Sequence, residues 1–231
     1  MKYDIGIIGA LENEVSTLAA KLSCAVKVRI GGVDFITGAL GKKNVVVAKC
    51  GVGKVFAAVC AAVMIVEFSP SLIINTGVGG GLKKGIAVGD IVVADKLCQH
   101  DMDTSALGDP KGLISGINRV FFKSDKRALD IVVRAAAEAN LACHVGTVAS
   151  GDKFICESVD KLRLVNDFGA DVCEMEGAAI AQTAFVNSTP FIVIRAISDS
   201  ADEGSSMDYM KFMPIAAERS AALALALCEK Y

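Results

Sequence analysis

The stretch NVVVAKCGVGKVFAAVCAAVMIVEFSPSLIINTGVG, residues 44–79, carries the clearest structural pattern in the chain. Its apolar runs at 44–51 and 71–79 have the length of β-strands, and the Ala-rich run at 54–68 has the length of a helix. A strand, a helix and a second strand in this order predict a βαβ unit with two parallel strands. Both strands are apolar throughout, which is typical of strands that helices cover on both faces.

Similar apolar runs recur along the rest of the chain and alternate with helical patterns. Further strands are predicted at 5–10, 26–32, 33–40, 90–97, 145–151 and 191–199. Further helices are predicted at 12–22, 124–139, 158–168, 176–187 and 208–230. Gly turns between the pieces of 26–51 indicate antiparallel neighbours. The predicted fold class is therefore α/β, with a mixed, mostly parallel central sheet flanked by helices.

No Pro/Ser-rich linker and no internal repeat divides the chain, so we predict a single domain over residues 1–231. The longest unpatterned stretch is the loop 102–119. Because long loops in a compact domain are usually functional or interfacial, this loop is expected to serve a site or a contact between subunits.

The overall composition excludes several classes of protein. Of the 231 residues, 53% are hydrophobic, which suits a sheet that is buried on both faces. The net charge is −2 and no Lys/Arg block stands out, so no nucleic-acid surface is predicted. The longest apolar run, 55–66, is shorter than the roughly 20 residues that cross a bilayer, and residues 1–10 are interpreted as a first strand rather than a signal peptide.

The eight cysteines are scattered, without a CxxC motif and without paired histidines. A structural zinc site needs closely spaced ligands, so no metal site is predicted. Several cysteines fall inside apolar strands or helices and are expected to be small buried side chains in a reducing compartment. The sequence thus predicts a cytoplasmic protein.

Three acidic residues follow predicted strands, namely Glu14, Glu176 and Asp199. Ligands of an open α/β sheet bind beyond the carboxyl ends of its strands, so these three side chains are expected at one rim. Glu14 has an alternative interpretation as a solvated residue in the first turn of a helix, where carboxylates are favourable.

The segment DVCEMEGAAIAQ, residues 171–182, places Glu174 and Glu176 on either side of Met175. Residues two apart on a strand point the same way, and two like charges so close would raise one pKa unless a cation or a hydroxyl-rich ligand separates them. A sugar with vicinal hydroxyls fits this arrangement, with Met175 against its apolar face. Stabilisation of both charges by a helix N-terminus is the alternative.

The last predicted strand ends in RAISDSAD, with Asp199 after a buried run. Burial would favour the protonated carboxyl and make Asp199 a candidate general acid. Arg195, on the same strand, could instead pair with either Asp199 or Glu174 and hold that partner ionised. The sequence leaves both pairings open.

Two glycine clusters resemble nucleotide motifs but lack the context that those motifs require. GVGGG at 77–81 is not followed by a helix, and CGVGKVFAA at 50–58 lacks the spacing of a P-loop. Each cluster more simply makes a turn or lets the backbone approach a flat ligand. An acidic rim would repel phosphates, so a neutral nucleoside is the better fit.

Seven motifs together resemble one family, the bacterial 5′-methylthioadenosine/S-adenosylhomocysteine nucleosidases of the purine nucleoside phosphorylase-like superfamily. In chain order they are IGIIGALENEV, CGVGKVFAA, INTGVGGGL, VGDIVVAD, SGDKFI, CEMEGAAIA and RAISDSAD. The resemblance covers nearly the whole chain and implies a nucleoside phosphorylase-like fold. It also implies hydrolysis of the N-glycosidic bond of an adenine thionucleoside, without a cofactor.

The resemblance implies a role for each acid. Glu14 matches the general base that activates water, and Asp199 matches the acid at adenine N7. Glu176 matches the carboxylate that binds the ribose hydroxyls, with Met175 packed on the sugar and Glu174 as a supporting neighbour. Carboxylates so placed favour the positive charge that develops on the ring.

The resemblance also implies the surroundings of these acids. Phe154 would stack on adenine, Ile155 would offer backbone groups to its edge, and Val52 would line the pocket. Arg195 and Ser198 match positions that support the acid.

The remaining matches concern the thio substituent and the partner subunit. Tyr209, Met210 and Phe212 fall in the segment that caps the site. Leu107, in the long loop, matches an apolar residue that the partner subunit lends, which implies a homodimer with this loop at the interface.

The sequence departs from the family pattern at three positions. Val78 stands where a hydroxyl residue is usual and where that hydroxyl helps to hold the acid; its loss removes a hydrogen bond worth about 1 kcal/mol and affects the orientation expected for Asp199. Thr104 and Leu107 replace the more usual Val and Phe near the thio pocket, which shifts the expected preference for the substituent.

Other functions remain as alternatives. A purine nucleoside phosphorylase of the same fold would need cations for phosphate, yet the loop after the first strand carries Glu12 and Glu14 and no Arg. A non-catalytic nucleoside-binding protein would not need a base beneath the sugar. If the protein is a hydrolase, 5′-deoxyadenosine and aminodeoxyfutalosine are also candidate substrates, because they differ from the two thionucleosides only at the 5′ end. The sequence does not show which of the four nucleosides is preferred.

Overall fold

The apolar runs of the sequence form one mixed β-sheet in the computed structural model, which describes residues 2–231. Within this range the ten strands of the sheet are β1 (Ile5–Gly9), β2 (Ser23–Ile30), β3 (Val33–Leu40), β4 (Lys43–Lys49), β5 (Leu72–Gly81), β6 (Ile91–Gln99), β7 (Phe122–Lys123), β8 (Cys143–Ser150), β9 (Val172–Glu174) and β10 (Phe191–Asp199). The helices are α1 (Glu12–Ala20), α2 (Lys54–Phe68), α3 (Lys126–Glu138), α4 (Ser158–Phe168), α5 (Gly177–Val186) and α6 (Ser205–Lys230).

The strand pairing confirms the mixed sheet. Strand β1 pairs in parallel with β4 and β5, and β5 pairs in parallel with β10, whereas β2, β3 and β4 form the antiparallel meander that the Gly turns predicted. Strand β10 pairs with both β5 and β6, so β5, β9, β8, β6 and β10 close into a ring. One end of this ring carries the acidic residues considered below.

Helices bury the sheet on both faces, which explains the continuous apolar strands. On one face α2 and α5 contribute Met64, Phe68 and Ile180 to a cluster with the strands. On the other face α1, α3 and α6 contribute residues such as Leu18 and Leu227. Burial of these side chains, at about 1.5–3 kcal/mol each, supplies most of the driving force for the fold.

Local signals in the sequence account for the ends of several helices. The Asp125 side chain accepts a hydrogen bond from the Ala128 N–H at 2.8 Å and caps α3. Helix α2 ends at Phe68 because Ser69 adopts a left-handed conformation (φ 45°) and Pro70 cannot continue the helix.

Some predicted boundaries were wrong. The last helix begins at Ser205 rather than at 208, and β7 was missed because two residues carry no period. The loop 102–119 contains a 3-10 turn at Ser105–Leu107 and a single β-bridge between Ile114 and Arg119. Over the described range 2–231, none of the helices has the length and apolar character to cross a bilayer.

Candidate active site

The ends of β1, β5 and β10 and the β9–α5 connection surround an open cavity, which measures about 560 Å³ with the solvent at its mouth included. Most residues singled out in the sequence line it, namely Glu14, Val52, Val78, Phe154, Ile155, Glu174, Met175, Glu176, Ser198, Asp199 and Tyr209. The three carboxylates expected at one rim therefore do share one cavity.

Glu14 lies in the first turn of α1, but it is not solvated. The residue is only 4% exposed, and its Oε2 accepts hydrogen bonds from the N–H groups of Ala10 (2.6 Å) and Leu11 (2.9 Å). Its Oε1 accepts a longer bond of 3.3 Å from the Val78 N–H. Burial raises the pKa of Glu14, although these N–H groups and Arg195 oppose the shift. A carboxylate with a raised pKa is a stronger base than a free glutamate.

Glycine at position 77 makes room for this carboxylate. A Cβ atom at Gly77 would lie 2.7 Å from Glu14 Oε1, closer than any normal contact. The glycine cluster of β5 therefore lets the backbone approach the Glu14 carboxylate closely, and Gly79 and Gly80 also line the cavity.

Glu176 lies at the N-terminus of α5, where its Oε1 accepts a hydrogen bond of 2.8 Å from the Gly53 N–H. Burial and the nearby charge of Glu174 raise the pKa of Glu176 to about 8. Like charges in a low-dielectric site disfavour double ionisation, which is the effect predicted for this pair.

Glu174 lines the inner wall of the cavity, and its carboxylate belongs to a buried network. Its carboxylate accepts hydrogen bonds from Arg195 Nη2 (2.5 Å), from the Gly177 N–H (2.7 Å) and from the Ser150 hydroxyl. Burial opposes ionisation, but Arg195 and these donors outweigh it and lower the pKa of Glu174. The structure thus decides between the two pairings left open by the sequence: Arg195 holds Glu174 ionised.

Asp199 owes its position to a β-bulge. In the β5–β10 ladder Ile197 pairs with Gly79 and Asp199 pairs with Gly80, so Ser198 is the extra residue. The Ser198 hydroxyl donates to Asp199 Oδ2 at 2.8 Å, and the Ala201 N–H donates to Oδ1 at 2.9 Å. The bulge turns both Ser198 and Asp199 toward the cavity.

Val78 does not support the acid in the way expected for a hydroxyl at this position. Asp199 is held by Ser198 and by the Ala201 N–H, whereas the Val78 N–H donates to Glu14. The valine side chain adds apolar surface to the cavity. The orientation of Asp199 is therefore fixed without a hydroxyl at position 78.

Two aromatic rings stand at the cavity. Phe154 is 40% exposed and packs edge-on against Tyr209, with the ring centroids 5.5 Å apart. Ile155 is buried beside them. A half-exposed ring at a cavity offers a face on which a planar base can stack.

Several sequence-predicted residues lie outside the cavity lining, among them Met210, which is 75% exposed on α6. Arg195 is fully buried behind Glu174. Phe212 lines a neighbouring cavity with Ile197 and Arg219. Leu107 lies on its 3-10 turn with 83% of its surface exposed.

The cavity also contains residues that the sequence did not single out, namely Ala10, Leu11, Lys153 and Cys173. Ala10 and Leu11 follow β1 directly, and they act through their backbone N–H groups, which donate to Glu14. Their side chains therefore give no sequence pattern that would indicate this role. Cys173 is fully buried, and its desolvation raises the pKa of the thiol strongly, which makes it an inert apolar wall.

The arrangement suits acid–base chemistry on a neutral ligand. In the described residues no cluster of three or more His, Cys, Asp or Glu side chains is arranged to hold a metal ion. One held acid, one buried base and a third carboxylate near an aromatic ring are the groups that cleavage of a glycosidic bond requires.

Comparison with known proteins gives this geometry a context. Residues 4–229 match the family model described as the phosphorylase superfamily. A 5′-methylthioadenosine/S-adenosylhomocysteine nucleosidase from an Exiguobacterium species is 37% identical over 230 residues, which span 98% of this chain and 97% of the relative. An aminodeoxyfutalosine nucleosidase from Campylobacter jejuni is 34% identical, over 98% of each chain.

The fold is shared with solved structures of the same kind. One is the 5′-methylthioadenosine/S-adenosylhomocysteine nucleosidase from Neisseria meningitidis in complex with methylthio-immucillin-A. It superposes with a TM-score of 0.96 at 36% identity, covering 99% of this chain and all of the other.

Proposed function

The chain belongs to the phosphorylase superfamily, and from that membership we propose that it hydrolyses the N-glycosidic bond of 5′-methylthioadenosine and S-adenosylhomocysteine. The products are adenine and the corresponding thioribose. The observation that carries the proposal is the set of three buried carboxylates, Glu14, Glu176 and Asp199, around one cavity.

In the proposed hydrolysis, each of the three carboxylates carries out one step that suits its surroundings. Asp199 donates a proton to the adenine ring, so that the electron pair of the breaking C–N bond leaves with a neutral base. Glu176 contacts the ribose hydroxyls and stabilises the positive charge of the ring. A water molecule then attacks the anomeric carbon, and Glu14 takes its proton.

The other cavity residues bind and orient the nucleoside in this proposal. Phe154 stacks on adenine, Ile155 presents backbone groups to its edge, and Met175 packs on the ribose. Val52, Val78 and Tyr209 supply apolar surface, while Ser198 and Arg195 hold the acid and Glu174 in place. No step needs a cofactor.

A phosphorylase reaction is disfavoured because the cationic side chains near the cavity are already paired with carboxylates. Among the described residues that line the cavity, the cationic one is Lys153, and it pairs with Asp160 at 2.6 Å. Arg195 is occupied by Glu174 at 2.5 Å. A phosphate dianion would therefore meet carboxylates rather than an arginine fork.

The proposal extends to nucleosides that carry other substituents at the 5′ position. The apolar surface of Leu11, Val52 and Tyr209 separates close analogues by only about 1–3 kcal/mol. We therefore include 5′-deoxyadenosine and aminodeoxyfutalosine as further substrates.

A homodimer completes the proposed site. Helix α2 exposes the apolar side chains Val55, Phe56 and Val66, which are 74%, 62% and 71% exposed, and Leu107 in the loop 102–119 is 83% exposed. Several large apolar side chains exposed on one helix mark a contact with another protein. We propose that a second copy of the chain covers it and that Leu107 reaches the partner's cavity.

The proposed setting is the cytoplasm. All eight cysteines are free thiols, and most of them are buried. This usage matches a reducing compartment.

Release of adenine from each of the four nucleosides tests the function. We expect turnover of 5′-methylthioadenosine and S-adenosylhomocysteine, and loss of about 10²–10⁴-fold in kcat for Asp199→Asn because the acid is gone. Asp202→Asn, at a nearby half-buried acid outside the cavity lining, serves as the control and should keep full activity. A folded wild-type protein that releases adenine from none of the four would contradict the proposal.

A further inference from the structure

A ring of hydrogen bonds joins three polar residues beside the cavity. The Lys54 backbone N–H donates to Asp152 Oδ1 at 2.8 Å, and the Asp152 N–H donates to Asp101 Oδ2 at 2.9 Å. The Lys54 ammonium closes the ring by donating to Asp101 Oδ1 at 2.6 Å. The three residues come from the start of α2, from the segment after β6 and from the segment after β8.

Two of the three segments in this ring lead to the cavity. Gly53, one residue before Lys54, donates its N–H to Glu176 at 2.8 Å. Asp152 begins the segment that carries Phe154 and Ile155, both of which line the cavity. The ring therefore sets the distance between the proposed ribose-binding carboxylate and the proposed adenine-binding segment.

The backbone at Gly53 shows how closely these parts meet. Gly53 has φ 100°, which favours glycine, and a Cβ there would lie 3.0 Å from Asp152 Oδ1. Two successive N–H groups at the start of α2 thus serve two carboxylates, Glu176 and Asp152. The positive end of the helix dipole favours both contacts.

The Lys54 side chain is more than an ordinary surface partner of Asp101. It is only 18% exposed, and its ammonium also donates to Gln99 Oε1 at 3.1 Å. Gln99 in turn donates to Gln182 of α5 at 2.5 Å. Burial opposes the ionisation of Asp101, yet Lys54 and the Asp152 N–H hold its pKa below the usual value.

We propose that Lys54 is a positioning residue for the hydrolysis, which fixes the segment 152–155 relative to Glu176 through its ring with Asp101 and Asp152. This inference rests on the proposed function. The ring joins polar groups beside the cavity rather than side chains of the apolar core, so the role of Lys54 should be visible in binding and turnover rather than in folding.

The test compares Lys54→Met and Lys54→Arg with the wild type and with Lys126→Met, which removes an ion pair with Asp130 on α3. We expect Lys54→Met to lower kcat/KM for 5′-methylthioadenosine by about tenfold, the loss of one charge-assisted hydrogen bond, and to weaken adenine binding in calorimetry. Lys54→Arg should restore most of both values, and the melting temperatures of the two Met variants should fall alike.

A double-mutant cycle separates positioning from a merely structural effect. If Lys54 acts through Glu176, then Lys54→Met should reduce kcat/KM much less in a Glu176→Gln background than in the wild type. Additive effects, or wild-type activity and adenine affinity in Lys54→Met, would overturn the inference. A loss of activity that tracks a lower melting temperature and that Lys54→Arg does not rescue would overturn it as well.

The adenine measurement distinguishes this inference from the proposed function. A wild-type protein that binds adenine but cleaves no nucleoside would contradict only the function, and the affinities of the Lys54 variants would still decide the role of the ring. A wild-type protein that does not bind adenine would contradict both.

Discussion

Glu174 and Glu176 lie two residues apart, and their surroundings divide their roles. Glu174 is neutralised by Arg195 and held by backbone N–H groups, whereas Glu176 has one N–H donor and a pKa raised to about 8 by burial and by Glu174. Glu176 is therefore more readily protonated than an ordinary glutamate. A ligand with a positive ring would favour its ionised form.

Affinity for a cationic ribose mimic should therefore depend on pH. For a nucleoside analogue with a protonated pyrrolidine in place of ribose, we expect tighter binding as the pH rises from 5.5 to 7.5, by at most about tenfold per unit, because fewer protons must leave Glu176. Calorimetry in buffers of different ionisation enthalpy would detect the released proton. The Glu176→Gln variant is the control and should lose this dependence; equal dependence in both proteins would exclude Glu176 as its source.

The same group links pH to the stability of the unliganded protein. Its pKa is raised on folding, so the folded state binds more protons than the unfolded state between the ordinary glutamate pKa and about 8. The stabilisation from Glu176 is then complete at low pH and is lost as the pH rises through this window.

Glu14 carries the proposed base, and its removal should separate binding from turnover. We expect Glu14→Gln to reduce kcat by about 10²–10⁴-fold while adenine still binds, because the amide keeps the shape of the side chain but cannot accept the proton. The matched control is Glu12→Gln in the same turn, whose partner Lys49 is on the surface. Full turnover by Glu14→Gln would remove the base assignment.

At the scale of elements, helix α2 has two apolar faces with different partners. One face, with Cys60, Met64 and Phe68, is buried against the sheet. The other face, with Val55 and Phe56, is exposed in the single chain. A helix that is apolar all round is expected to be buried on both sides, which is the physical basis of the proposed dimer.

A charge on this face should separate the subunits. We expect Phe56→Glu to be a monomer in sedimentation measurements, with lower kcat/KM because the partner's Leu107 no longer reaches the cavity. Val26→Glu places the same charge on an exposed apolar position of β2 and should leave mass and activity unchanged. A wild-type protein that sediments as a monomer at micromolar concentration would contradict the dimer.

The elements that the sequence predicted best are those with a long, uniform period. The helices at 54–68 and 158–168 and the strands at 33–40 and 191–199 agree with the structure at both ends. Strand β7 has two residues and exists only through pairing with β6, and the bulge at Ser198 depends on the register with β5, so neither leaves a local pattern. Spacing along the chain also does not fix which side of α6 faces the cavity, and Phe212 lines a neighbouring one.

At the scale of the whole molecule, the closed ring of strands explains why residues far apart in sequence form one site. The parallel register of β1 with β5 and of β5 with β10 brings Glu14, Val78 and Asp199 to one end of the sheet. From strand ends alone the sequence predicted that Glu14, Glu176 and Asp199 meet at one rim, because parallel strands share their carboxyl edge. It could not predict the ring of Lys54, Asp101 and Asp152, since those contacts arise only when three separate loops are brought together.

The most direct test of the central claim is the identity of the sugar product. Purified protein is incubated with 5′-methylthioadenosine with and without phosphate, and both products are identified by mass spectrometry. Hydrolysis by three carboxylates predicts adenine and free methylthioribose at the same rate in both samples. Methylthioribose 1-phosphate, formed only with phosphate, would contradict the account.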